Sequence, residues 1–457
     1  MNSRAGGLAP RRRESVVIMP GALLLLLAVS SSRADAPGYQ VSVGVIESDN
    51  IQRVPSGGTH DTVLEQEVLF TWHDLRPWLT ADIDADLSHL TYVPRSFSDE
   101  VVGNFIGQAR VALVPQFLFW KFSDNFGQGS TDPTQAITPE TRENINYFST
   151  GPELLLPLGD ATNLLDLQGT FGKVTYQKSP FDNDRVAGTL GFIHRLSEKS
   201  ELSLNVSDER IDYSNDTLNP DYDSQQAYVH FDARGVRTTL AVDVGYGRLV
   251  EASSASPGTA VARLELSRKL SASATVSLSF GHEYSDAAAA FQISQVLNGA
   301  NLNTQQSVQT GGPFTMVYET AGWNFQRNRT GFGLTLSHFK DDYIENNTFN
   351  DTRTELDANV SRQLTPAVQV ALVEDYHRQN FQDTTGNSTQ TTTDARLTWR
   401  LARRLSMFFD YTLTKRTSEL PGTAFTENRV WISIGYGRPA EVPPGVPAPA
   451  LPHATTY

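Results

Sequence analysis

Apolar and polar side chains alternate with a period of two through long stretches of this chain. In residues 275–286 (TVSLSFGHEYSD), the even positions from Val276 to Tyr284 carry large side chains, whereas the odd positions are small or charged. The same alternation recurs at 240–250, 396–401 and 430–436, where Trp431 is the exception. Because successive side chains of a β-strand point to opposite faces, the pattern predicts an all-β fold.

The predicted strands are long, with runs of about ten to fourteen residues where soluble proteins favour about five or six. A transmembrane strand needs about nine to eleven residues, with lipid-facing and lumen-facing side chains in alternation. We therefore predict a transmembrane, antiparallel, up-and-down β-barrel. The alternative is a soluble β-helix or a large sandwich with regular repeats, although a β-helix has shorter, parallel strands.

A short motif recurs where these strands end. It reads HRLSEKSELSL at 194–204, SRKLSASATVSL at 267–278, SRQLTPAVQVAL at 361–372 and WRLARRLSMFF at 399–409. Tight turns are predicted near Leu75, Pro115, Gly159, Ser197, Gly235, Ser271, Asn328, Thr365 and Arg403. Nine turns join ten hairpins, which gives about 20 strands (18–22) with both ends on one side, as in bacterial barrels.

The N-terminal segment has the order of a secretory signal peptide. Three arginines at 11–13 precede the apolar block ALLLLLAV at 22–29 and the small residues SSSRADA at 30–36. Eight apolar residues are too few to cross a bilayer, and we place the cleavage site after Ala34. A core helix of a cytosolic protein is the alternative.

Charge and composition exclude several classes of function. The net charge of −14 becomes about −18 once residues 1–34, with five Arg and one Glu, are removed. Nucleic-acid phosphates are bound by Lys and Arg, so we expect no nucleic-acid partner. The absence of cysteine excludes disulfides, thiolate zinc sites and a Cys nucleophile. The nine histidines form no H-x-x-x-H pair, and we expect neither a metal site nor a cofactor.

The chain is predicted to consist of three parts. Residues 1–34 are the signal peptide and residues 35–438 the outer-membrane barrel. Residues 439–457 (PAEVPPGVPAPALPHATTY) are too rich in proline to pair in a sheet, and we interpret them as an extended periplasmic tail.

Charged residues on the polar face of the strands predict a wet interior. The predicted lumen lining is Asp243, Arg263, Glu265, Glu283, Arg396 and Arg400. Several strands end in an acid and a tyrosine, which predicts an outer-mouth set of Asp212, Tyr213, Tyr284, Asp286, Asp342, Tyr343, Asp375 and Tyr376. Either these side chains hold sugars or cations, or they form an interfacial aromatic girdle with solvated charges above it.

Two long loops are predicted, at 124–144 and 286–314. Either loop could fold inward as a constriction or lie over the outer surface as a loop without a fixed role. Barrels of about 16–18 strands leave an aqueous channel and wider ones are often plugged. Because strand patterns begin at Tyr39, we expect any plug to be a folded-in loop.

Paired acids such as Asp341 and Asp342, or Glu374 and Asp375, could imitate the acid pair of a glycosidase. Neighbours on a strand point to opposite faces, so such a pair cannot converge on one bond. We therefore expect no enzymatic activity. An outer-membrane enzyme that acts on lipid or polysaccharide near the mouth is the alternative, with Glu283 as a further test position.

The block TPETRENINYFSTGPELLLPLGDATNLLDLQGTFGKVTYQ at 138–177 resembles the uncharacterised outer-membrane β-barrel family associated with PEP-CTERM/exosortase systems, as does ESDNI at 47–51. The likeness extends from about Tyr39 to Arg438 and departs from the family in the proline-rich tail. It implies a link to exopolysaccharide export and protein sorting, and it supplies no catalytic residues.

These patterns, with the resemblance, predict a pore or scaffold in the outer membrane of a Gram-negative bacterium, associated with exopolysaccharide export or biofilm. The expected partners are outer-membrane lipid and lipopolysaccharide, exopolysaccharide and periplasmic secretion components. A general porin and a surface adhesion barrel are further alternatives.

Overall fold

The computed structural model describes residues 37–159, 162–215, 217–251, 258–298, 306–307, 310–344, 347–382 and 386–438. Twenty long strands form one closed antiparallel barrel, in which each strand pairs with its sequence neighbours. The first strand, β1 (Gly38–Ser48), pairs with the last, β21 (Phe425–Arg438), and this pairing closes the ring. The prediction of a barrel of about 20 strands is confirmed.

The other barrel strands are β2 (Asp61–Arg76), β3 (Leu79–Tyr92), β4 (Glu100–Val114), β5 (Leu118–Ser130), β6 (Arg142–Pro157), β7 (Asn163–Tyr176), β8 (Asn183–Ser197), β9 (Ser200–Tyr213), β10 (Tyr222–Arg234), β11 (Thr238–Glu251), β12 (Gly258–Ser271), β13 (Ala274–Ser285), β15 (Phe314–Arg327), β16 (Thr330–Tyr343), β17 (Asp351–Thr365), β18 (Val368–Phe381), β19 (Ser388–Ala402) and β20 (Leu405–Ser418). A helix, α1 (Ala287–Asn298), and a two-residue strand, β14 (Gln306–Ser307), lie between β13 and β15. No helix in the described residues is long and apolar enough to cross a membrane.

The predicted turns fall at or next to the connections at one end of the barrel, where β1 begins and β21 ends. The one shifted position is Leu75, which lies inside β2, so that the turn follows at residues 77–78. The signal peptide and the proline-rich tail lie outside the described residues.

The recurring motif before these turns is a β-bulge followed by a hydroxyl-closed turn. One residue falls out of register at the end of β8, β12, β17 and β19, and each time it is a leucine: Leu196, Leu270, Leu364 and Leu401. These leucines continue the outward-facing row of their strands and are 41–53% exposed. The next residue in three of the motifs, such as Ser197, accepts a hydrogen bond from the backbone N–H two residues later.

The two faces of the barrel differ in chemistry. On β1, Val41, Val43 and Val45 are 38–54% exposed, whereas Gln40 and Ser42 are buried. The exposed apolar row faces lipid and the alternate row faces the lumen, as a transmembrane strand requires. Residues opposite each other across a strand pair share a face, so the register assigns every barrel strand in the same way.

The first long loop is shorter than predicted because β5 and β6 extend into it, whereas the second lies between β13 and β15 as predicted. Residues 124–130 belong to β5 and 142–144 to β6, which leaves a loop at 131–141. The segment between β13 and β15 includes α1 and β14, and β14 pairs in parallel with the outer end of β5.

Candidate functional site: the lumen and its outer mouth

Helix α1 lies inside the barrel and packs on two separate parts of the wall. One side of the helix, including Phe291, contacts inward-facing residues of β6 and β7 such as Ile145 and Val174. The other side, at Ala290, joins a cluster on β15 and β16 that includes Phe314. Six barrel strands, β8 to β13, lie between these two contacts, so the helix crosses the lumen as a chord.

Helix α1 approaches β5 closely because Gly127 has no side chain. A Cβ added at Gly127 would lie 2.1 Å from Gln295 Nε2 and 3.2 Å from the ring of Phe291. Gln295 also donates a 3.0 Å hydrogen bond to the carbonyl of Phe126 on β5. The helix is therefore held against a third part of the wall.

Asp286 fixes the N-terminus of α1. Its Oδ1 accepts hydrogen bonds of 2.9 Å from the backbone N–H groups of Ala288 and Ala289, which is the geometry of an N-cap. Its Oδ2 accepts 2.6 Å hydrogen bonds from Arg185 Nη2 on β8 and the hydroxyl of Tyr222 on β10. These three side chains are nearly fully buried, so the helix start is tied to the wall by a charge-assisted contact.

The ionised form of Asp286 is stabilised by these partners. Burial alone would raise the pKa of this carboxyl group. The positive charge of Arg185, the Tyr222 hydroxyl and the N–H of Ala289 outweigh burial and lower the pKa below its ordinary value. The cap is thus a carboxylate at neutral pH.

The loop at 131–141 spans a different part of the mouth. Arg416 on β20 donates to the carbonyls of Gln135 and Thr134 at 2.5 and 2.9 Å. Arg53, in the loop after β1, donates to the carbonyl of Ile137 at 2.6 Å. On the opposite side, Lys178 donates to the carbonyls of Pro139 and Glu140 at 2.7 and 2.9 Å. The loop is therefore fixed at both ends across the barrel.

Both long loops thus take the inward arrangement, and the outer-surface arrangement is not observed for the described residues. Sequence reasoning missed the residues that hold them, namely Arg185, Tyr222, Gly127, Arg416 and Arg53. The available signal for this contact was the position of Arg185 on β8, which belongs to the alternate residues that face the lumen. A charge at an inward position near the outer end of a strand has to find a partner in the lumen.

The register places all six predicted lumen residues on the inward face. Four of them lie on neighbouring strands, β11 to β13, and three of these form one network. Arg263 donates to Asp243 Oδ2 at 3.1 Å and to Glu283 Oε1 at 3.0 Å, and His230 Nδ1 lies 2.6 Å from Asp243 Oδ1. The charge of Arg263 is therefore balanced within the wall.

Of the remaining lumen residues, Arg396 and Arg400 lie on a separate part of the wall, on β19. Glu265 shares the inward face with Arg263, two residues along β12. Arg396 on β19 donates to Asp410 Oδ2 at 2.6 Å and lies over the ring of Trp431. This contact explains why Trp431 broke the alternation of the last strand, since its side chain belongs to the inward face. Arg400 is exposed.

The outer-mouth set does not form one ring. The register turns Asp212, Tyr284, Asp342 and Tyr376 to the outer face and Tyr213, Tyr343 and Asp375 to the lumen, as alternation along a strand requires. Asp286 follows the last residue of β13, and its contacts with Arg185 and Tyr222 place it in the lumen. The outer half includes exposed ion pairs, such as Lys340 with Asp342. In the inner half, Tyr343 is buried and belongs to the cluster that packs on α1.

An acidic stripe follows β2 and β3 on the inward face. Near the turn end, His73 Nδ1 lies 2.7 Å from Asp82 Oδ1, and Asp84 completes a group whose ligand atoms lie within 4.8 Å of one another. The side chains of His73 and Asp82 are 60% and 46% exposed. Exposed acidic groups of this kind are common without a bound ion, so no metal is assigned to them.

The register also aligns Ser203, His230 and Asp243 on adjacent strands of the inward face. This is the residue set of a hydrolase triad, with the orienting contact between His230 and Asp243 already formed. Ser203 is only 3% exposed, and its Oγ accepts a 2.9 Å hydrogen bond from Asn205. The serine hydroxyl is therefore buried and engaged by Asn205 in this arrangement.

Residues 329–436, from β16 to β21, match the family model described as "Putative beta-barrel porin 2". The match covers about a quarter of the chain, and over these residues the chain is similar to that porin family. No curated protein matches the chain.

Several solved structures are similar in fold to this barrel. The siderophore receptor PirA from Acinetobacter baumannii has a TM-score of 0.46 at 9% identity, over 89% of this chain and 81% of that one. The FrpB iron transporter from Neisseria meningitidis (F5-1 variant) has a TM-score of 0.44 at 8% identity, over 88% and 83%. OccK2 (OpdF) from Pseudomonas aeruginosa has a TM-score of 0.37 at 9% identity, over 88% and 98%.

Proposed function

We propose that this barrel is a non-enzymatic, gated pore of the outer membrane, closed at its outer mouth by α1 and the loop at 131–141. The observation that carries the proposal is the placement of α1 as a chord across the lumen, tied to the wall through Asp286. The polar, charged interior is compatible with a solute path, since such interiors line the water-filled channels of porins. The inward acids along β2 and β3 favour neutral or cationic solutes, since Arg263 and Arg396 are already paired.

Liposome swelling tests this proposal. The mature chain, reconstituted in liposomes, should admit neutral sugars slowly, and a variant without residues 287–312 should admit them rapidly. The opening variant should also pass a cationic solute faster than an anionic solute of similar size. Equal, negligible swelling of both proteins would contradict a conducting role and favour a scaffold.

We further propose that the barrel takes part in exopolysaccharide export. It rests on the resemblance of residues 138–177, a block that contributes Ile145 and Val174 to the wall beneath α1. If polysaccharide passes through this lumen, fragments of a cationic, amino-sugar exopolysaccharide, whose charge suits the inward acids, should reversibly block ion flow through the opened variant. Neutral dextran of the same length is the control, and equal block by both polymers would remove the specific link.

A catalytic role is the rival proposal, favoured by the alignment of Ser203, His230 and Asp243. A serine-reactive fluorophosphonate separates the two functions. The proposed pore predicts no labelling of Ser203, in the closed protein or in the variant without residues 287–312. Lipid or polysaccharide hydrolysis that is lost on alanine substitution at Glu283, Asp341 or Glu374 would instead place an enzyme near the mouth.

A further inference from the structure

A cavity lies on the inward face of the barrel wall and is lined by residues of β1, β2, β3, β4, β6 and β21, among them the apolar side chains of Ile46, Leu90 and Val102. Its volume is about 110 Å³, which exceeds the roughly 10–15 Å³ that one water molecule needs. Two carboxylates, two guanidinium groups and an amide line it: Glu65, Asp86, Arg142, Arg429 and Asn104. The cavity is large enough for several waters or for a ligand of a few heavy atoms.

The lining leaves donors and acceptors unused. Asn104 is 8% exposed, and its buried Oδ1 accepts no hydrogen bond from any described residue. The buried Nε atoms of Arg142 and Arg429 likewise find no acceptor among the described residues. A buried polar group without a partner is costly, so this arrangement is that of a site that receives a partner from outside the chain.

The backbone holds the cavity in shape. Gly103 adopts a φ of +124°, and a Cβ at this position would lie 2.0 Å from the carbonyl oxygen of Asp86. Its N–H donates a 3.0 Å hydrogen bond to Gln128 Oε1, which lies on β5. Glu65 accepts a 2.9 Å hydrogen bond from Ser88 and so retains acceptor capacity for a ligand.

We infer that this cavity binds a compact zwitterion, such as a small amino acid. Arg142 and Arg429 receive its carboxylate, while Asp86, Glu65 and Asn104 Oδ1 receive its ammonium group. Arg142 already pairs with Glu100 through Nη2, and its Nε and that of Arg429 remain without an acceptor among the described residues. A lone anion would therefore leave Asp86 and Asn104 Oδ1 without a donor, and a lone cation would leave the two Nε atoms without an acceptor. A zwitterion satisfies both sets at once without changing the net charge of the wall.

The test is equilibrium binding of glycine to the full mature chain in detergent, measured by calorimetry after overnight equilibration. Asp86→Asn and Arg429→Gln should each weaken glycine binding at least tenfold. Asp82→Asn and Arg400→Gln remove inward charges outside the cavity and should leave binding unchanged. Acetate has only the carboxylate of glycine, and methylamine has only its ammonium group. Each should bind at least tenfold more weakly than glycine.

Circular dichroism and heat-dependent gel mobility establish that each variant is folded, and Asn104→Leu replaces any variant that is not. Absent glycine binding, or binding that the cavity variants leave unchanged, would overturn the inference. Acetate or methylamine that binds as tightly as glycine would also overturn it, in favour of a simple anion or cation site. Glycine binding does not require ion conduction. A protein that fails to conduct would therefore contradict the proposed pore without contradicting the proposed glycine site.

Discussion

Arg185 on β8 donates a 2.6 Å hydrogen bond to Asp286, the residue that caps α1. Both side chains are buried, with exposures of 4% and 3%. One ion pair therefore joins the wall of the barrel to the helix that crosses its lumen. α1 otherwise packs on the wall mainly through small and aromatic residues. A substitution in this ion pair is therefore the most direct way to change the position of the helix.

Asp286→Asn should release α1 without removing its cap, because asparagine caps helices about as well as aspartate. It leaves Arg185 buried with Glu209 as its remaining charge partner, at 3.7 Å. Breaking a buried ion pair costs about 3–5 kcal/mol, which is at least a hundredfold in the opening equilibrium of the helix. Hydrogen exchange of residues 287–298 should accelerate accordingly.

The matched control for that substitution is Asp342→Asn. Asp342 pairs with Lys340 on the outer face, where both side chains are well exposed. Exposed ion pairs contribute about 0–1 kcal/mol, so exchange of α1 should stay at the wild-type rate. Equal acceleration in both variants would show that the Arg185–Asp286 contact does not hold the helix.

Acid should loosen α1 through the same carboxylate. The pKa of Asp286 is lowered in the folded protein, so its contribution is fully present above the unfolded value of about 3.9 and is lost as pH falls through the folded pKa. Protease sensitivity of the 287–298 segment should therefore rise only below about pH 4. The Asp286→Asn variant should lack this step, and an identical pH profile in both proteins would contradict the assignment.

Gly127→Leu should displace α1 by crowding. The first side-chain carbon already falls 2.1 Å from Gln295 Nε2, and larger atoms would reach the ring of Phe291. The control is Gly188→Leu, since no atom lies within 4 Å of the Cβ position there. We expect faster exchange of α1 in the first variant alone, measured by hydrogen–deuterium exchange.

Arg263→Leu should destabilise the barrel, because it leaves Asp243 and Glu283 without the positive charge that both of them pair with. The expected loss is about 3–5 kcal/mol in the free energy of unfolding. The double variant Arg263→Leu with Glu283→Leu should lose less than the sum of the single variants. Urea unfolding in detergent measures both, and strict additivity would show that the two residues do not interact.

The sequence predicts the barrel well because alternation and turn chemistry are local. The period of two in 275–286 is visible without knowing its neighbours, and so is the Arg- and Leu-containing motif that precedes the bulged turns. The same rule places Arg263 and Arg396 on the inward face. Trp431 departs from the alternation because its ring faces the lumen and contacts Arg396 there.

Local sequence patterns do not predict that α1 and the loop at 131–141 close the outer mouth. The contact of Arg185 with Asp286 joins residues 101 positions apart, and that of Arg416 with Gln135 spans 281. Neither residue of either pair signals its partner in the sequence. The outer-mouth residues were grouped by their place at strand ends, whereas neighbours such as Asp212 and Tyr213 point to opposite faces.

Single-channel conductance of the refolded mature chain, compared with the variant that lacks residues 287–312, tests the gated pore most directly. The account predicts small or rare openings for the complete chain and large, lasting openings for the deletion variant. Asp286→Asn should fall between them. An equally silent deletion variant, shown to be folded by its heat-dependent gel mobility, would contradict the claim that α1 closes a conducting lumen.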